Sequence, residues 1–445
     1  MLKDHSWFCY YKALETELMQ CKDEGKDMSA FENKIKEVGI EMPYTTEEYK
    51  KVFELIDEME NVPVPSNAPY NEPSDLESIH ALQLPRTEPK PYDKEKLRDR
   101  IYGAWIGRVT GCLIGKPVEG WTREPIEKLA KAGNNWPIKR YLSCNNPSLA
   151  DDPGLCYEKL KKAWFVENLK GISPTDDDTN YTTLYLTVLE RYGRDFTTDD
   201  VVEAWLSTFN VFCVCTAEQA AFRNFVGHIL PPDSASYRNP YREWIGAQIR
   251  GDVFGYVNPG DPYLAADYAF RDACCTHTRN GIYGEMFVAA MIAESAVSND
   301  MKHIIETGLR VIPQTSRLVR DITKILKWYD EGKSYEYVVD RIYEQYPAPS
   351  LHNMVHTIPN AMIVCAALIY GHNDYAETLG KAIMPGMDTD CNGATAGSII
   401  GMVTGAANIP SDFTTPIDGK LLTDIAGNRE VKISDMADRT MRIIK

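Results

Sequence analysis

Three consecutive carboxylates repel one another unless water or a cation offsets them, and this chain carries such a run in Thr175-Asp176-Asp177-Asp178-Thr179-Asn180. Behind it, Tyr181, Leu184, Tyr185, Val188, Leu189 and Tyr192 recur at the spacing of one buried helix face. The acidic run therefore predicts the mouth of a helix whose body enters the core. An N-cap favours Asp or Thr, and the helix dipole accepts negative charge there. One cap explains one aspartate, not three. A second cluster, Gly386-Met387-Asp388-Thr389-Asp390-Cys391-Asn392, opens a small-residue helix far along the chain. Oxygen ligands suit Mg²⁺, Mn²⁺ or Ca²⁺ rather than zinc. Asp176, Asp177, Asp178, Asp388 and Asp390 exceed the needs of one hard ion, so the two clusters predict a pair of ions that orients a substrate and activates water.

Other chemistries fit less well. Asp388-x-Asp390-x-Asn392-Gly393 matches half of a calcium-binding helix–loop–helix, but its twelfth position is Ile399 where a bidentate Glu is required. An Asp-x-Asp phosphohydrolase needs a buried strand before Asp388, and Lys381-Ala-Ile-Met-Pro385 is short and broken by proline. His352 and His356 stand one helical turn apart without the His-Glu-x-x-His pattern, which assigns them to packing or capping. Cys274-Cys275-Thr276-His277 resembles a zinc cluster, but adjacent cysteines rarely share one metal.

The elements that must hold the two acidic clusters are helices. Gly103, Gly107, Gly111 and Gly115 fall four apart, and so do Gly393, Gly397, Gly401 and Gly405. Each glycine costs a helix interior about 1 kcal/mol against alanine. Two such ladders therefore predict helices packed closely against each other or against a shared neighbour, with Gly115-Lys116-Pro117 as a helix exit. Helical periodicity also covers 201–211, 263–275, 286–297, 318–329 and 360–370. Strand-like alternation is scarce, and the class is all-α.

The 445 residues divide into a helical module at 1–60, a linker at 61–92 and a main body at 93–445. In the module, Trp7, Tyr10, Tyr11, Leu14 and Leu18 share a face. Ser29 with Glu32 and Thr45 with Glu48 form capping-box patterns, and Gly39 supplies a stop. The linker holds seven prolines and is expected to lie extended along a surface. Trp121 and Trp136 flank a polar loop at 131–135 that could serve as a lid. The net charge of −16 argues against nucleic acids and anionic membranes as partners. Eleven cysteines show no regular spacing, so no disulfide framework is indicated. The N-terminus lacks a signal-peptide core and no run of 18 apolar residues occurs, which leads to the expectation of a soluble, cytoplasmic protein.

From about residue 95 onward the chain resembles the ADP-ribosylglycohydrolase family, which includes dinitrogenase-reductase-activating glycohydrolase and ADP-ribosyl-acceptor hydrolases. Four stretches carry the resemblance: Gly111-Cys-Leu-Ile-Gly115-Lys-Pro-Val-Glu119, Thr175 to Thr179, Asp252-Val-Phe-Gly255-Tyr256-Val-Asn258-Pro-Gly260, and Gly386 to Asn392. It implies an orthogonal helical bundle around a binuclear Mg²⁺ site, with Mn²⁺ as a substitute. It also implies hydrolysis at C1″ of an ADP-ribosyl ribose, so that the partner is an ADP-ribosylated protein or a small ribofuranoside. Position by position, Asp177, Asp178, Asp388 and Asp390 fall on metal ligands, with Asp176 and Cys391 beside them as further candidates. Glu119 falls on the glutamate that approaches the substrate ribose. Glu119, Asp177 and Asp178 become the candidates for handling the proton of the attacking water and stabilising oxocarbenium-like charge. Gly255, Tyr256 and Asn258 fall in the loop that cradles phosphates and distal ribose, and His277 in a substrate-contacting stretch. The chain departs from the family at Asp176 and Cys391, where Thr is usual, and at Cys112, where Asp is usual. Cys112 and Cys391 motivate one alternative, a hydrolase of a smaller ribofuranoside; an alternative of another class is a catalytically silent ADP-ribose or nucleotide sensor.

Overall fold

A computed structural model describes residues 13–38, 45–145 and 164–444. The N-terminal helices are α1 (Ala13–Asp23), α2 (Phe31–Val38) and α3 (Thr46–Glu60), followed by α4 (Leu76–Leu82). The body continues with α5 (Lys94–Gly115), α6 (Arg123–Ala132), α7 (Asp177–Tyr192), α8 (Thr198–Thr208), α9 (Thr216–Val226), α10 (Asp233–Ser236), α11 (Asp252–Tyr256) and α12 (Pro262–Ala273). Next come α13 (Asn280–Ser295), α14 (Met301–Arg310), α15 (Arg317–Asp330), α16 (Tyr335–Gln345), α17 (Leu351–Val355), α18 (Thr357–Tyr370) and α19 (Tyr375–Ile383). The chain ends with α20 (Thr389–Thr404), α21 (Ser411–Thr414) and α22 (Ile433–Ile443). Among the described residues the one sheet is a pair, β1 (Lys420–Leu422) and β2 (Glu430–Lys432), antiparallel with Leu421 opposite Val431. The protein is all-α. No described helix is long and apolar enough to cross a membrane.

The centre of the body is the pair α5 and α20, and glycine explains their closeness. A Cβ built on Gly107 would lie 1.9 Å from the carbonyl oxygen of Gly397, and one on Gly111 would lie 2.0 Å from that of Gly393. Gly103 faces Gly401 and Gly115 faces Thr389 in the same way, so the helices run antiparallel with backbone against backbone. The two ladders are thus one interface, and only glycine fits it. Its antiparallel sense sets the exit of α5 beside the entry of α20. Helices α13 and α18 pack around this pair and are buried along their whole length, as apolar content on every face requires.

The N-terminal helices form a small apolar cluster, including Leu14, Met28, Phe31, Val52, Ile56 and Met59, which also takes in Ala220 of α9. Charge ties them to the body. Arg242 bonds Glu17 at 2.7 Å and Glu24 at 2.8 Å, and Arg238 bonds Asp57 at 2.6 Å. The Thr45–Glu48 capping box closes α3, whereas α2 starts at Phe31 and Glu32 pairs with Lys22 instead of closing a box with Ser29. The expected roles of Trp7, Tyr10, Tyr11 and Gly39 lie outside the described residues. The proline-rich stretch lies along the body, with Glu72 gripped by Arg317 and Lys90 N–H donating to Gly260. It also holds α4, capped by Asp75, which proline spacing alone does not predict. The expected lid near 131–135 is a fixed turn, because Asn135 is buried and bonds the backbone of Lys139 and Arg140.

Candidate active site

The run Asp176–Asp178 straddles the start of α7. Asp176 has extended backbone and accepts the Asp178 N–H at 3.1 Å, so it is the N-cap. Asp178, wholly buried, receives Arg108 of α5 twice, at 2.5 Å on its carboxylate and 2.9 Å on its carbonyl oxygen. Asp388 occupies the N-cap position of α20 without a side-chain capping bond, and Asp390 lies in its first turn. Their loop is held from two sides. Asn360 accepts the Asp388 N–H at 3.3 Å and the Asn392 side chain at 2.8 Å. The Gly120 N–H donates to the Met387 carbonyl and the Met387 N–H to the Trp121 carbonyl, each at 3.0 Å, which fastens the loop carrying Glu119 to the loop carrying Asp388.

The two acidic clusters meet. Ligand atoms of Asp178, Asp390 and Cys391 lie within 4.8 Å of one another, and so do those of Glu119, Asp388 and Asp390. Lys116, one residue beyond α5, sits among them. Its Nζ lies 2.6 Å from Asp390, 2.8 Å from Asp176 and 2.9 Å from Glu119. Asp176 therefore has one oxygen committed to the helix cap and the other to Lys116. Asp176 thus serves as cap and lysine partner, and it also lies within 4.8 Å ligating range of Cys112 and Asp178.

Burial shapes the charges. Desolvation works against the Lys116 ammonium, but Asp176, Asp390 and Glu119 outweigh it and hold its pKa well above the ordinary lysine value. Burial also raises Asp176, yet Lys116 prevails and its carboxyl is lowered. Asp177, Asp178 and Asp388 are pushed well above the usual carboxylate range, first by burial and then by neighbouring carboxylates. Against Asp178 the nearby Arg108 only partly compensates. Such upward shifts from crowded, desolvated carboxylates mark places where a cation would be welcomed. Two buried oxygens, Asp178 Oδ2 and Asp390 Oδ1, have no hydrogen-bond partner among the described residues, and they fit a divalent ion. Cys391 fits less well. Burial and the surrounding carboxylates raise its thiol well above the ordinary value, and a neutral sulfur is a poor ligand for Mg²⁺.

The four expected substrate contacts are not presented to this cluster. Tyr256 is wholly buried, its hydroxyl between Ser398 at 2.7 Å and Asp252 at 3.3 Å. Asn258 donates to Phe254 and accepts from Arg194, and Gly255 packs so tightly on Ile292 that a Cβ there would lie 2.5 Å from it. His277 is buried beside Thr276, with its Nε2 3.9 Å from Glu218, in a separate network built on Arg250, Glu218 and Asp272. The family resemblance suggested a cradle here, whereas in the structure these groups serve helix packing. What Asp252 and Tyr256 do instead is indirect: Asp252 lies 3.4 Å from Arg108 and backs the residue that holds Asp178.

Sequence reasoning missed Arg108, Lys116 and Asn360. Arg108 is the sole charge between Ile101 and Gly115, and a lone arginine on a glycine-marked, buried helix signals a buried partner. Lys116 was legible only as part of a helix exit. His352 and His356 do cap and pack: His356 Nδ1 accepts the Ile358 N–H and His352 Nδ1 accepts the Trp244 N–H.

A family model described as ADP-ribosylglycohydrolase matches residues 93–441. No curated protein matches the chain. Among solved structures, one described as an ADP-ribosylglycohydrolase-related protein complex aligns with a TM-score of 0.45 at 16% identity, covering 78% of this chain and 98% of its own.

Proposed function

This chain belongs to the ADP-ribosylglycohydrolase family, and from that premise we propose that it hydrolyses the glycosidic bond between an ADP-ribosyl group and its acceptor, with a divalent cation, Mg²⁺ or Mn²⁺, in the acidic cluster. One observation carries the reading: Asp178 and Asp390, from two helices, bring carboxylates within ligating range of each other, and each keeps one buried oxygen without a hydrogen-bond partner among the described residues. Asp177, Asp178, Asp388 and Asp390 would hold the cation, which when bound supplies Lewis-acid polarisation and lowers the pKa of water.

The chain's own residues do the rest. Glu119 has a side chain one-third exposed and sits at the rim, tied to the cluster through Lys116, where it can take or return a proton. The carboxylates together favour positive charge growing at the anomeric carbon. Arg108 and Asn360 touch no substrate in this scheme; they orient Asp178 and Asp388. The backbone pairing of 120–122 with 386–387 keeps Glu119 and Asp388 in one frame.

A second reading, hydrolysis of a smaller ribofuranoside, is favoured by a specific observation. The residues expected to cradle the phosphates and distal ribose are buried and committed elsewhere. Release of product from ADP-ribosyl-arginine, ADP-ribosyl-serine and nitrophenyl ribofuranoside, with and without Mg²⁺, separates the readings. Turnover of the nitrophenyl compound alone selects the second, and turnover of none selects a silent sensor.

A further inference from the structure

The acidic cluster contains a cation of its own. The Lys116 ammonium has three N–H donors and three carboxylate oxygens at 2.6–2.9 Å, one each from Asp390, Asp176 and Glu119. These come from three separate parts of the chain. Two of them, Glu119 and Asp390, form with Asp388 one of the groups close enough to ligate an ion. The lysine cannot drift far. It follows Gly115, where a Cβ would lie 2.2 Å from the Thr389 carbonyl oxygen, and Thr389 donates its hydroxyl to Gly115 at 2.8 Å. Pro117 fixes the next residue, and the Lys116 side chain is only 13% exposed.

The ligands the lysine consumes are those a second ion would need. Each Asp176 oxygen already carries one bond, from the Asp178 N–H and from Lys116, and Asp390 and Glu119 each give the lysine one oxygen. On the far side, Asp390 Oδ1 and Asp178 Oδ2 stay buried and partnerless, 1% and 0% exposed at the residue level. Resting on the metal-dependent reading above, we propose that Lys116 is the resident cation of this centre. Its ammonium stands where one divalent ion would, so the chain takes a single ion at the Asp178–Asp390 side rather than two. A compact, strongly hydrated point charge on a flexible stem suits this role, whereas the planar fork of an arginine would not.

The test is a count on the full-length protein. Chelator-stripped protein is titrated with Mn²⁺, bound metal is measured by equilibrium dialysis, and the electron paramagnetic resonance spectrum is recorded. The expected wild-type result is one Mn²⁺ per chain with an uncoupled six-line signal. Lys116→Met, checked for fold by circular dichroism, is expected to bind two with a spin-coupled signal. Two coupled ions in the wild type would overturn the proposal and leave the hydrolase reading standing. No bound Mn²⁺ would overturn both. One ion in wild type and in folded Lys116→Met would overturn the role of Lys116 while keeping the metal site. Should the variant not fold, the wild-type count decides alone.

Discussion

Replacing Gly107 by alanine adds one methyl group where two helix backbones touch. That methyl would lie 1.9 Å from the Gly397 oxygen and 2.5 Å from its carbonyl carbon. Ordinary carbon–carbon contact begins near ~3.5 Å, so α5 and α20 would have to part by about 1–1.5 Å. Alanine returns about 1 kcal/mol of helix propensity. Against that stands an overpacking penalty of about 1–3 kcal/mol, at the high end here because backbone, not a flexible side chain, blocks the way. The expected net loss is about 2 kcal/mol, read as a lower midpoint in urea unfolding. The effect on chemistry is larger. The same two helices carry Lys116 and Asp390, 2.6 Å apart, and a displacement of about 1 Å can cost roughly a hundredfold in rate. Gly133→Ala is the control, since a Cβ there meets nothing closer than 3.6 Å. A Gly107→Ala protein with wild-type stability and turnover would refute the backbone-to-backbone interface as the device that positions the site.

Other consequences are equally open to measurement. Asp177, Asp178 and Asp388 have folded pKa values raised above the ordinary 3.8, so the stability they contribute is full below about pH 4 and is lost as pH rises through the raised values. The metal-free protein should therefore melt lower at pH 8 than these groups alone would allow at pH 5, and Mg²⁺ should raise the melting temperature more at pH 8, because it competes with protons for the same oxygens. An equal Mg²⁺ shift at both pH values would count against the cluster as the binding site. Glu60 is held up to about 8 by burial and by Glu17; its contribution is full below pH 4.5 and is lost as pH rises through about 8. Glu60→Gln should accordingly raise the melting temperature at pH 8.5 and leave it unchanged at pH 5, as differential scanning fluorimetry would show.

Much of the fold was legible because glycine and apolar spacing act locally. The two ladders announced a close helix pair, and the apolar face behind Asp178 announced a buried helix; both follow from sterics that need no tertiary knowledge. The pairing of Asp178 with Asp390 was suggested by two acidic clusters at helix starts together with the family resemblance, and the structure brings the two residues within ligating range. What sequence could not supply was which residue answers that charge. Lys116 looks like any lysine before a proline until the antiparallel packing of α5 and α20 brings it to Asp390. Tyr256, Asn258 and His277, expected at the ligand from the family resemblance, make internal bonds away from the acidic cluster. Their residue types suit a ligand, but burial against α13, α20 and the Arg250 network used their polar atoms internally.

Asp388 offers the most direct test. Asp178→Ala would strand the buried Arg108 guanidinium and confuse folding with chemistry, whereas Asp388→Asn keeps size and the backbone bond to Asn360. With ADP-ribosyl-arginine and nitrophenyl ribofuranoside as substrates, wild-type protein is expected to release product in Mg²⁺ and to stop in EDTA. Asp388→Asn, folded by circular dichroism, should lose at least a hundredfold in kcat, about 3 kcal/mol of transition-state stabilisation. Product release by Asp388→Asn at the wild-type rate, or release undiminished by EDTA, would contradict the assignment of this cluster as a cation-dependent hydrolytic centre.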